Sequence, residues 1–257
     1  VFGSAPLAIP PQTSTIASHL PKAVGCAIAL DRGARFEERA EDRIVICTFG
    51  DASSNHASAT TAFNGAAWAN YQHIPAPLLF VCEDNGLGIS VRTPRGWIKS
   101  NLSTKAGIEY FYADGLDLPD AYDQACAAAE YVRKNRKPAL LHLRTVRLLG
   151  HAGSDVELLY RTKYEIEKTE SLDPLIHTAK LLVEGGWLSP DEVLSLYEST
   201  RARLLALGRE AVSRPKITTR EAVMAPLHPP VRKTYSLPQS AIEVRSALWN
   251  NRVPEST

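Results

Sequence analysis

Three runs of apolar residues constrain the fold of this chain more than any other feature. They cover residues 43–49, 77–82 and 138–146, and apolar side chains in them follow one another instead of alternating with polar ones. Continuous apolar runs of this length are typical of strands that are covered on both faces, as strands in a parallel sheet are. The sequence therefore predicts three buried strands of a parallel sheet.

Segments with helical character lie before and between these runs. Residues 20–31 are rich in small side chains, and residues 55–71 are rich in alanine. Residues 119–134 begin with an aspartate and end with arginine and lysine, as the helix dipole favours. A polar residue among 53–55 is expected to cap the second helix. The alternation of strands and helices predicts an α/β fold, doubly wound, with a mostly parallel sheet and helices on both faces.

The character of the chain changes in its second half. Helical patterns without strands cover residues 156–168, 172–185 and 190–212, and the sequence from 213 onward is polar and rich in proline. We therefore expect a domain over 1–212 with a C-terminal helical extension, followed by a tail or linker over 213–257. The chain begins with Val1 and not with methionine, so we interpret it as a piece of a longer polypeptide.

Composition argues against several classes of function. Lys and Arg total 29 and Asp and Glu total 28, a net charge of +1, which does not favour binding to nucleic acid or to an acidic membrane surface. No apolar run approaches the roughly 18 residues that a membrane-spanning helix needs. The cysteines are too widely spaced for a metal-binding or redox pair, and we expect reduced thiols and a cytoplasmic location. They are Cys26, Cys47, Cys82 and Cys126.

Two polar turns follow the first two apolar runs. The first, Gly50 to Asn55, comes directly before a predicted helix, where backbone N–H groups and the helix N-terminus favour a phosphate group. Asp51 in this turn has the carboxylate oxygens that suit Mg²⁺. The second turn begins at Glu83 and contains Asn85, a further oxygen donor. Taken singly, each turn is more often a simple structural turn.

In this order the two turns resemble the fingerprint of enzymes that bind thiamine diphosphate. The resemblance implies that Mg²⁺ is bound by Asp51, Asn85 and the backbone oxygen of Leu87. It also implies further contacts to the cofactor in these turns, at Gly50, Ala52, Ser53 and Ile89. This chain departs from the family pattern in having Ala52 in place of the usual glycine and Asp84 in place of the usual asparagine. Ala52 would be strained if its position needed a positive φ, and Asp84 adds negative charge unless it points away.

Two other segments narrow the resemblance to the α subunits of the decarboxylating component of 2-oxo acid dehydrogenase complexes. Ser14 and Ile16 match residues that contact the aminopyrimidine and support the bent cofactor. Arg147-Leu-Leu-Gly-His151, continuing to Asp155 and then Tyr160-Arg161, is similar to the family's loop of form R-x-x-G-H-S-x-S-D…Y-R. The resemblance implies that Arg147 and His151 contact the cofactor and that His151 is catalytic, as histidine chemistry near neutral pH allows.

This resemblance implies thiamine diphosphate and Mg²⁺ as cofactors and the oxidative decarboxylation of a 2-oxo acid as the reaction. The acyl group would pass to a lipoyl arm on a separate acyltransferase component. The active site would be shared with a β subunit or a fused β domain, with a second α copy in the assembly. The chain could equally be the α region of a fused α-β protein. We expect it to be inactive without the β partner.

Other interpretations remain open from the sequence alone. One is a transketolase-like thiamine-diphosphate enzyme, against which the loop around His151 argues. Another is a non-catalytic structural or regulatory subunit that keeps the fold. A nicotinamide-dependent dehydrogenase would show G-x-G-x-x-G after the first strand, and this chain does not. The residues do not distinguish pyruvate from branched-chain 2-oxo acids, although the overall resemblance slightly favours branched-chain or broad specificity.

Overall fold

A four-stranded parallel sheet forms the centre of the computed structural model, which describes residues 2–4, 6–36 and 42–227. The strands along the chain are β1 (Phe2–Ser4), β2 (Ile9–Gln12), β3 (Val45–Gly50), β4 (Leu78–Asp84), β5 (Leu87–Gly88), β6 (Val91–Arg92), β7 (Glu109–Asp114) and β8 (Ala139–Arg144). The helices are α1 (His19–Phe36), α2 (Ala57–Tyr71), α3 (Trp97–Leu102), α4 (Leu118–Asn135), α5 (Lys163–Glu170), α6 (Pro174–Glu184), α7 (Pro190–Ser213) and α8 (Arg220–Met224). Short 3₁₀ helices occupy Asp51–Asn55, Glu157–Leu159 and Ala225–Leu227.

The described residues form two structural units. The larger unit, Thr13–Arg214, contains the parallel sheet and the helices from α1 to α7. The smaller combines the described residues up to Gln12 with those from Pro215 to Leu227, and it contains the antiparallel pair β1–β2 and the short helix α8. Part of the tail predicted over 213–257 lies outside the described residues, and the division of the chain at 212 stays a prediction.

The central sheet has the strand order β3-β4-β8-β7, and all neighbours are parallel. The three strands predicted from the apolar runs are thereby confirmed, with bounds one or two residues different at most ends. The edge strand β7 is absent from the sequence-based prediction. Its hydrophobic stretch is only four residues long, 110–113, and only one of its residues is buried. It pairs with β8 along its whole length.

Helices cover both faces of the sheet, which confirms the doubly wound α/β prediction. On one face α1 and α2 pack against the sheet, where Leu20, Phe63 and Phe80 are buried in one cluster. The Phe63 and Phe80 rings meet edge to face with their centroids 5.1 Å apart. On the other face α4 buries Val132 against Leu141 and its neighbours. Burial of such side chains contributes about 1.5–3 kcal/mol each.

The strand β3 is covered on only one of its faces, contrary to the expectation from its apolar sequence. Ile46 is 60% exposed, and Thr48, which points to the same side, is also exposed. The helix on this side, α4, packs mainly on β4, β7 and β8 and leaves the flank of β3 open. By contrast, every residue from Leu78 to Cys82 in β4 is buried, as the sequence predicts.

The cap of α2 differs from the expected residues 53–55. These residues belong to the 3₁₀ helix after β3, and His56 takes the capping position instead. Its ring nitrogen Nδ1 accepts a hydrogen bond from the backbone N–H of Ser58 at 3.2 Å. Ser54 uses its hydroxyl to bond the carbonyl oxygen of Asp51 at 2.7 Å. The polar residues thus stabilise the turn itself rather than the following helix.

The cysteines are free thiols, as expected. Cys47 and Cys82 lie in the sheet and are buried, whereas Cys126 is exposed on α4. Burial raises the pKa of the Cys47 thiol to about 12, so this side chain stays protonated and packs as a small apolar group. No helix in the described part of the chain is both long and apolar enough to cross a membrane.

The first of the C-terminal helices begins later than the sequence predicts. The expected helix over 156–168 is observed as a 3₁₀ turn followed by α5, which starts at Lys163. Thr162 explains the start, because its hydroxyl accepts the backbone N–H of Glu165 and the Glu165 carboxylate accepts the N–H of Thr162. This is a capping box, in which two otherwise unpaired donors are satisfied.

Replacing Thr162 with alanine is expected to destabilise the protein by about 1 kcal/mol, because the side-chain half of the capping box is lost. The melting temperature should fall by roughly 2–4 °C in a chain of this size. Thr162→Ser is the matched control, since serine caps a helix as well as threonine does. Calorimetric melting of the three proteins checks the prediction, and an equal loss in the serine variant would contradict it.

Candidate functional site

Two polar turns lie next to each other at the carboxyl edge of the parallel sheet. Strands β3 and β4 are paired with Gly50 opposite Glu83, so the residues that follow each strand emerge side by side. Asp51 follows β3, and Asn85 follows β4. The carboxyl edge is where open α/β sheets bind ligands.

Asp51 is a buried carboxylate with little to neutralise it among the described residues. It is only 2% exposed, and one of its oxygens, Oδ2, accepts a hydrogen bond from the Thr93 hydroxyl. Burial raises the pKa of Asp51, and the nearby negative charge of Asp84 raises it too, whereas the hydrogen bond from Thr93 lowers it. A buried anion of this kind is stabilised by a cation.

The turn after β4 is closed by its own hydrogen bonds. The side-chain oxygen of Asn85 accepts the backbone N–H of Leu87 at 2.9 Å, and the N–H of Thr93 donates to the carbonyl of Gly86 at 3.0 Å. Within this turn the two-residue strands β5 and β6 pair in antiparallel orientation. An amide oxygen has two lone pairs, so Asn85 keeps acceptor capacity beyond the bond to Leu87.

The two turns are in direct contact at Gly88 and Ala52. A Cβ atom added to Gly88 would lie 2.7 Å from the Cβ of Ala52, so the position tolerates only glycine without a shift. Ala52 is not among the described residues with a positive φ. The strain considered for alanine at position 52 is therefore absent, and its methyl group is accommodated by the glycine opposite.

Asp84 is held by a contact to β8 and by its own turn. Its Oδ2 lies 2.9 Å from Nε2 of His142, and its Oδ1 accepts the backbone N–H of Gly86 at 3.3 Å. The other ring nitrogen of His142 lies 2.7 Å from the hydroxyl of Tyr110 on β7. Both carboxylate oxygens of Asp84 are thus engaged, one by His142 and the other by the backbone N–H of Gly86.

Ser14 and Ile16 lie in a tight turn that precedes α1. The turn is closed by the N–H of Ser18, which donates to the carbonyl of Thr15 at 3.2 Å, and both predicted site residues are exposed. Ile16 is 57% exposed. At the start of α1, Nε2 of His19 lies 2.8 Å from the carbonyl oxygen of Thr48, near the carboxyl end of β3.

Arg147 connects the loop after β8 to the turn after β4. Its Nη1 donates to the carbonyl of Ile89 at 2.6 Å, and its Nη2 donates to the hydroxyl of Tyr160 at 2.5 Å. The carboxylates of Asp155 and Glu157 each lie 3.8 Å from Nη2. The Nε atom of Arg147 is buried and has no hydrogen-bond partner among the described residues. Ile89, whose carbonyl oxygen accepts the hydrogen bond from Arg147, has a backbone φ of 57°, in the left-handed region.

His151 is exposed at the tip of the same loop. Its backbone N–H donates to Oδ2 of Asp155 at 2.6 Å, and the Tyr160 hydroxyl donates to the same oxygen at 2.7 Å. The hydrogen bond from Tyr160 and that from the His151 amide lower the pKa of Asp155. Asp155 thus fixes the backbone of the loop while the imidazole of His151 faces solvent.

The structure brings the predicted residues of the two turns together, and Arg147 joins the His151 loop to them. No contact joins the Ser14–Ile16 turn directly to Asp51 or Asn85 among the hydrogen bonds described above. Sequence reasoning missed Thr93 and the pair His142–Tyr110. For the pair His142–Tyr110, the available signal was a histidine inside the apolar run 138–146. A single threonine such as Thr93 gives no comparable signal.

Within the described ranges no cluster of three or more His, Cys, Asp or Glu side chains is arranged to hold a metal ion. Asp51 is instead accompanied by neutral oxygen donors in the adjacent turn. Magnesium is commonly bound by only one or two carboxylates together with phosphate and other oxygens. The donor set is therefore of the kind that a magnesium–phosphate complex uses.

Comparison with known proteins agrees with the fold and the motifs. Over 184 residues the chain is 32% identical to the pyruvate dehydrogenase E1 component subunit alpha of Rickettsia conorii (strain ATCC VR-613 / Malish 7), covering 69% of this chain and 54% of that protein. Over 208 residues it is 28% identical to the mitochondrial 2-oxoisovalerate dehydrogenase subunit alpha of Caenorhabditis elegans, covering 79% of this chain and 46% of that protein.

The corresponding mitochondrial 2-oxoisovalerate dehydrogenase subunit alpha of Homo sapiens is 26% identical over 208 residues, which cover 79% of this chain and 44% of the human protein. The chain thus spans about half the length of the relatives it matches. Residues 7–219 match the family described as "Dehydrogenase E1 component", which is most of the chain. With the parallel sheet and the adjoining polar turns at its edge, this match shows that the chain belongs to the dehydrogenase E1 component family.

Proposed function

We propose that this chain forms the diphosphate- and magnesium-binding half of a thiamine-diphosphate-dependent 2-oxo acid dehydrogenase. The reaction is the oxidative decarboxylation of a 2-oxo acid, with transfer of the acyl group to a lipoyl arm of an acyltransferase component. The observation that carries the proposal is the buried Asp51 at the end of β3, which accepts a hydrogen bond from Thr93. Its neighbour Ala52 lies against Gly88 in the turn that holds Asn85.

The residues of the two turns fit a magnesium–diphosphate group. Asp51 offers a buried carboxylate that a divalent cation would neutralise, and Asn85 offers an amide oxygen. The backbone oxygen of Leu87 would be the third protein ligand of the metal. The amides of Ala52 and Ser53 begin a short helical turn after Gly50, where backbone N–H groups favour phosphate.

Around these turns the chain supplies residues for the rest of the cofactor. Ile16 exposes an aliphatic side chain that can pack against a ring system, and Ser14 exposes a hydroxyl for a polar edge. Ile89 is 53% exposed beside Gly88 and offers a second apolar surface. Arg147 supports this part of the site by fixing the Ile89 carbonyl, which sets where the Ile89 side chain lies.

When bound, thiamine diphosphate supplies the nucleophilic carbon and the electron sink for decarboxylation. The part played by this chain is to bind, to orient and to move a proton. His151 is the proposed catalytic residue because its exposed imidazole lies on a loop whose backbone is held by Asp155 and, through Tyr160, by Arg147. An imidazole can hold or release a proton near neutral pH and can thus assist acyl transfer.

The assembly is part of the proposal. The relatives are named as alpha subunits, which supports a β subunit or fused β domain and a second α copy as partners. We propose that the chain is inactive without the β partner and that the enzyme is cytoplasmic. The relatives' names include both pyruvate and 2-oxoisovalerate dehydrogenases, so both substrate classes belong in the test, with branched-chain or broad specificity slightly preferred.

The test is a calorimetric titration of thiamine diphosphate into the native assembly that contains this chain, purified with its β partner, with and without Mg²⁺. We expect binding that requires Mg²⁺. A panel of pyruvate, branched-chain 2-oxo acids and sugar phosphates, with a dye as electron acceptor, then identifies the substrate. Turnover of sugar phosphates alone would indicate the transketolase-like alternative, and bound cofactor without any turnover would indicate a non-catalytic subunit.

A further inference from the structure

A chain of three hydrogen-bonded side chains runs across the sheet beneath the turn that follows β4. Tyr110 on β7, His142 on β8 and Asp84 on β4 are joined by contacts of 2.7 Å and 2.9 Å. In the pairing of β7 with β8, Tyr112 lies opposite His142, and Tyr110, two residues earlier in β7, reaches the ring of His142 with its hydroxyl. His142 is only 4% exposed, a rare environment for a histidine inside an otherwise apolar strand.

The direction of these hydrogen bonds follows from the chemistry of the groups. A carboxylate only accepts, so Nε2 of His142 carries the hydrogen that Asp84 receives. The hydroxyl of Tyr110 is the partner of the other ring nitrogen, Nδ1, and can donate to it. Burial raises the pKa of Tyr110 to about 12, so its hydroxyl keeps the proton that it donates. Each polar atom of the histidine ring is thereby satisfied within the sheet.

Asp84 links these side chains to the turn after β4, which contains the proposed metal ligand Asn85. Its second oxygen accepts the N–H of Gly86, and its backbone carbonyl accepts the N–H of Thr145 at 2.8 Å. Asn85 lies between the two hydrogen-bonded residues, so its position depends on Asp84. A carboxylate at position 84 that turned toward Asp51 would instead place two negatively charged groups side by side.

We propose that His142 is a positioning residue for magnesium–diphosphate binding, which it promotes by holding the Asp84 carboxylate against β8 and away from the ligand. The inference rests on the proposed function of the site. His142 acts through Asp84 and Gly86 and does not itself touch the metal or the cofactor. Tyr110 has a supporting role, because it fixes the ring orientation of His142 from the other side.

The experiment measures the Mg²⁺ affinity of the native assembly at saturating thiamine diphosphate, by calorimetry. Replacing His142 with leucine is expected to weaken Mg²⁺ binding roughly tenfold, the lower range for the loss of a residue that orients a metal site. His142→Gln retains an N–H donor and should recover most of the affinity. Tyr110→Phe should cause a smaller loss, whereas Tyr112→Phe, a change on the same strand in a ring that also meets His142 edge-on, should cause none.

A second substitution separates positioning from a general loss of packing. In an Asp84→Asn background the carboxylate that His142 restrains is gone, so His142→Leu should weaken Mg²⁺ binding much less than it does beside Asp84. Equal losses in both backgrounds, or wild-type affinity in His142→Leu, would overturn the inference. If His142→Leu does not fold, Tyr110→Phe in the same two backgrounds decides the question.

The proposed function and this inference fail in different ways. Absence of Mg²⁺-dependent binding in the wild-type assembly would overturn the proposed function and the inference with it. Normal binding in the wild type and in all three His142 and Tyr110 variants would overturn the inference alone.

Discussion

Replacing Asp51 with asparagine is expected to abolish Mg²⁺-dependent binding of thiamine diphosphate, with a loss of at least roughly a hundredfold in affinity. Asp51 is the one carboxylate in the proposed set of metal ligands, and asparagine keeps its size and its bond from Thr93 while removing the charge. Calorimetric titration of the native assembly with its β partner measures the loss. Binding at wild-type affinity in Asp51→Asn would rule out the metal assignment.

The same substitution is expected to stabilise the cofactor-free protein, by about 1 kcal/mol, as often happens when a strained functional residue is replaced. Burial raises the pKa of Asp51 above its ordinary value of 3.8, so the ionised form is disfavoured in the folded state. At neutral pH the folded wild type is therefore destabilised by burial of the ionised Asp51 carboxylate, and the asparagine variant is not. Differential melting of the cofactor-free proteins should show the variant unfolding at the higher temperature.

The pH dependence of this difference has a definite sign. The folded-state pKa of Asp51 is raised, so its contribution favours the folded state below 3.8 and is lost as the pH rises through the folded-state value. The advantage of Asp51→Asn should consequently be largest near neutral pH and shrink as the pH falls toward 3.8. Asp123→Asn, an exposed change on α4, is the matched control and should show no such trend. A pH-independent advantage would contradict the explanation.

Replacing Gly88 with alanine is expected to destabilise the protein by roughly 1–3 kcal/mol, the usual cost of overpacking. The new methyl group would lie 2.7 Å from the Cβ of Ala52, so one of the two turns must move. Because these turns hold Asp51 and Asn85, the affinity for Mg²⁺ and thiamine diphosphate should fall as well. Calorimetric melting and titration measure the two effects.

The contact between Gly88 and Ala52 also predicts a compensating change. Ala52→Gly removes the methyl group that Gly88→Ala would meet, so the double variant should recover most of the lost stability. Gly153→Ala is the matched control, since that glycine has no neighbour within 4 Å of the added atom, and it should cause no loss. A double variant as unstable as Gly88→Ala alone would show that the clash is not the cause.

Local sequence patterns, chiefly the continuous apolar runs, predict most of the central sheet. The apolar runs 77–82 and 138–146 predict strands correctly, because continuous burial leaves a continuous apolar sequence. The run 43–49 is a strand as predicted, yet its apolar residues did not reveal that one face of β3 is open. Strand β7 was missed, because its apolar stretch of four residues is shorter than the other runs and lies at the half-exposed edge of the sheet, paired only with β8.

The proposed site divides in the same way. Asp51 and Asn85 were placed at the edge of the sheet from sequence, because a residue that follows a parallel strand emerges at its carboxyl end wherever that strand lies in the sheet. Their order along the chain then pointed to a family. What each side chain touches was beyond the sequence, and Arg147, expected to contact the cofactor, is bonded in the structure to Ile89 and Tyr160.

The sequence by itself therefore determined the class of fold, three strands of its sheet and the two turns that carry the proposed ligands. Only the tertiary structure decided that Thr93 bonds Asp51, that Gly88 meets Ala52 and that His142 holds Asp84. The physical reason is the distance along the chain between the residues that interact. A strand or a turn follows from neighbouring residues, whereas Asp84 and His142 are 58 positions apart and meet because the register of β4 against β8 sets Cys82 opposite His142.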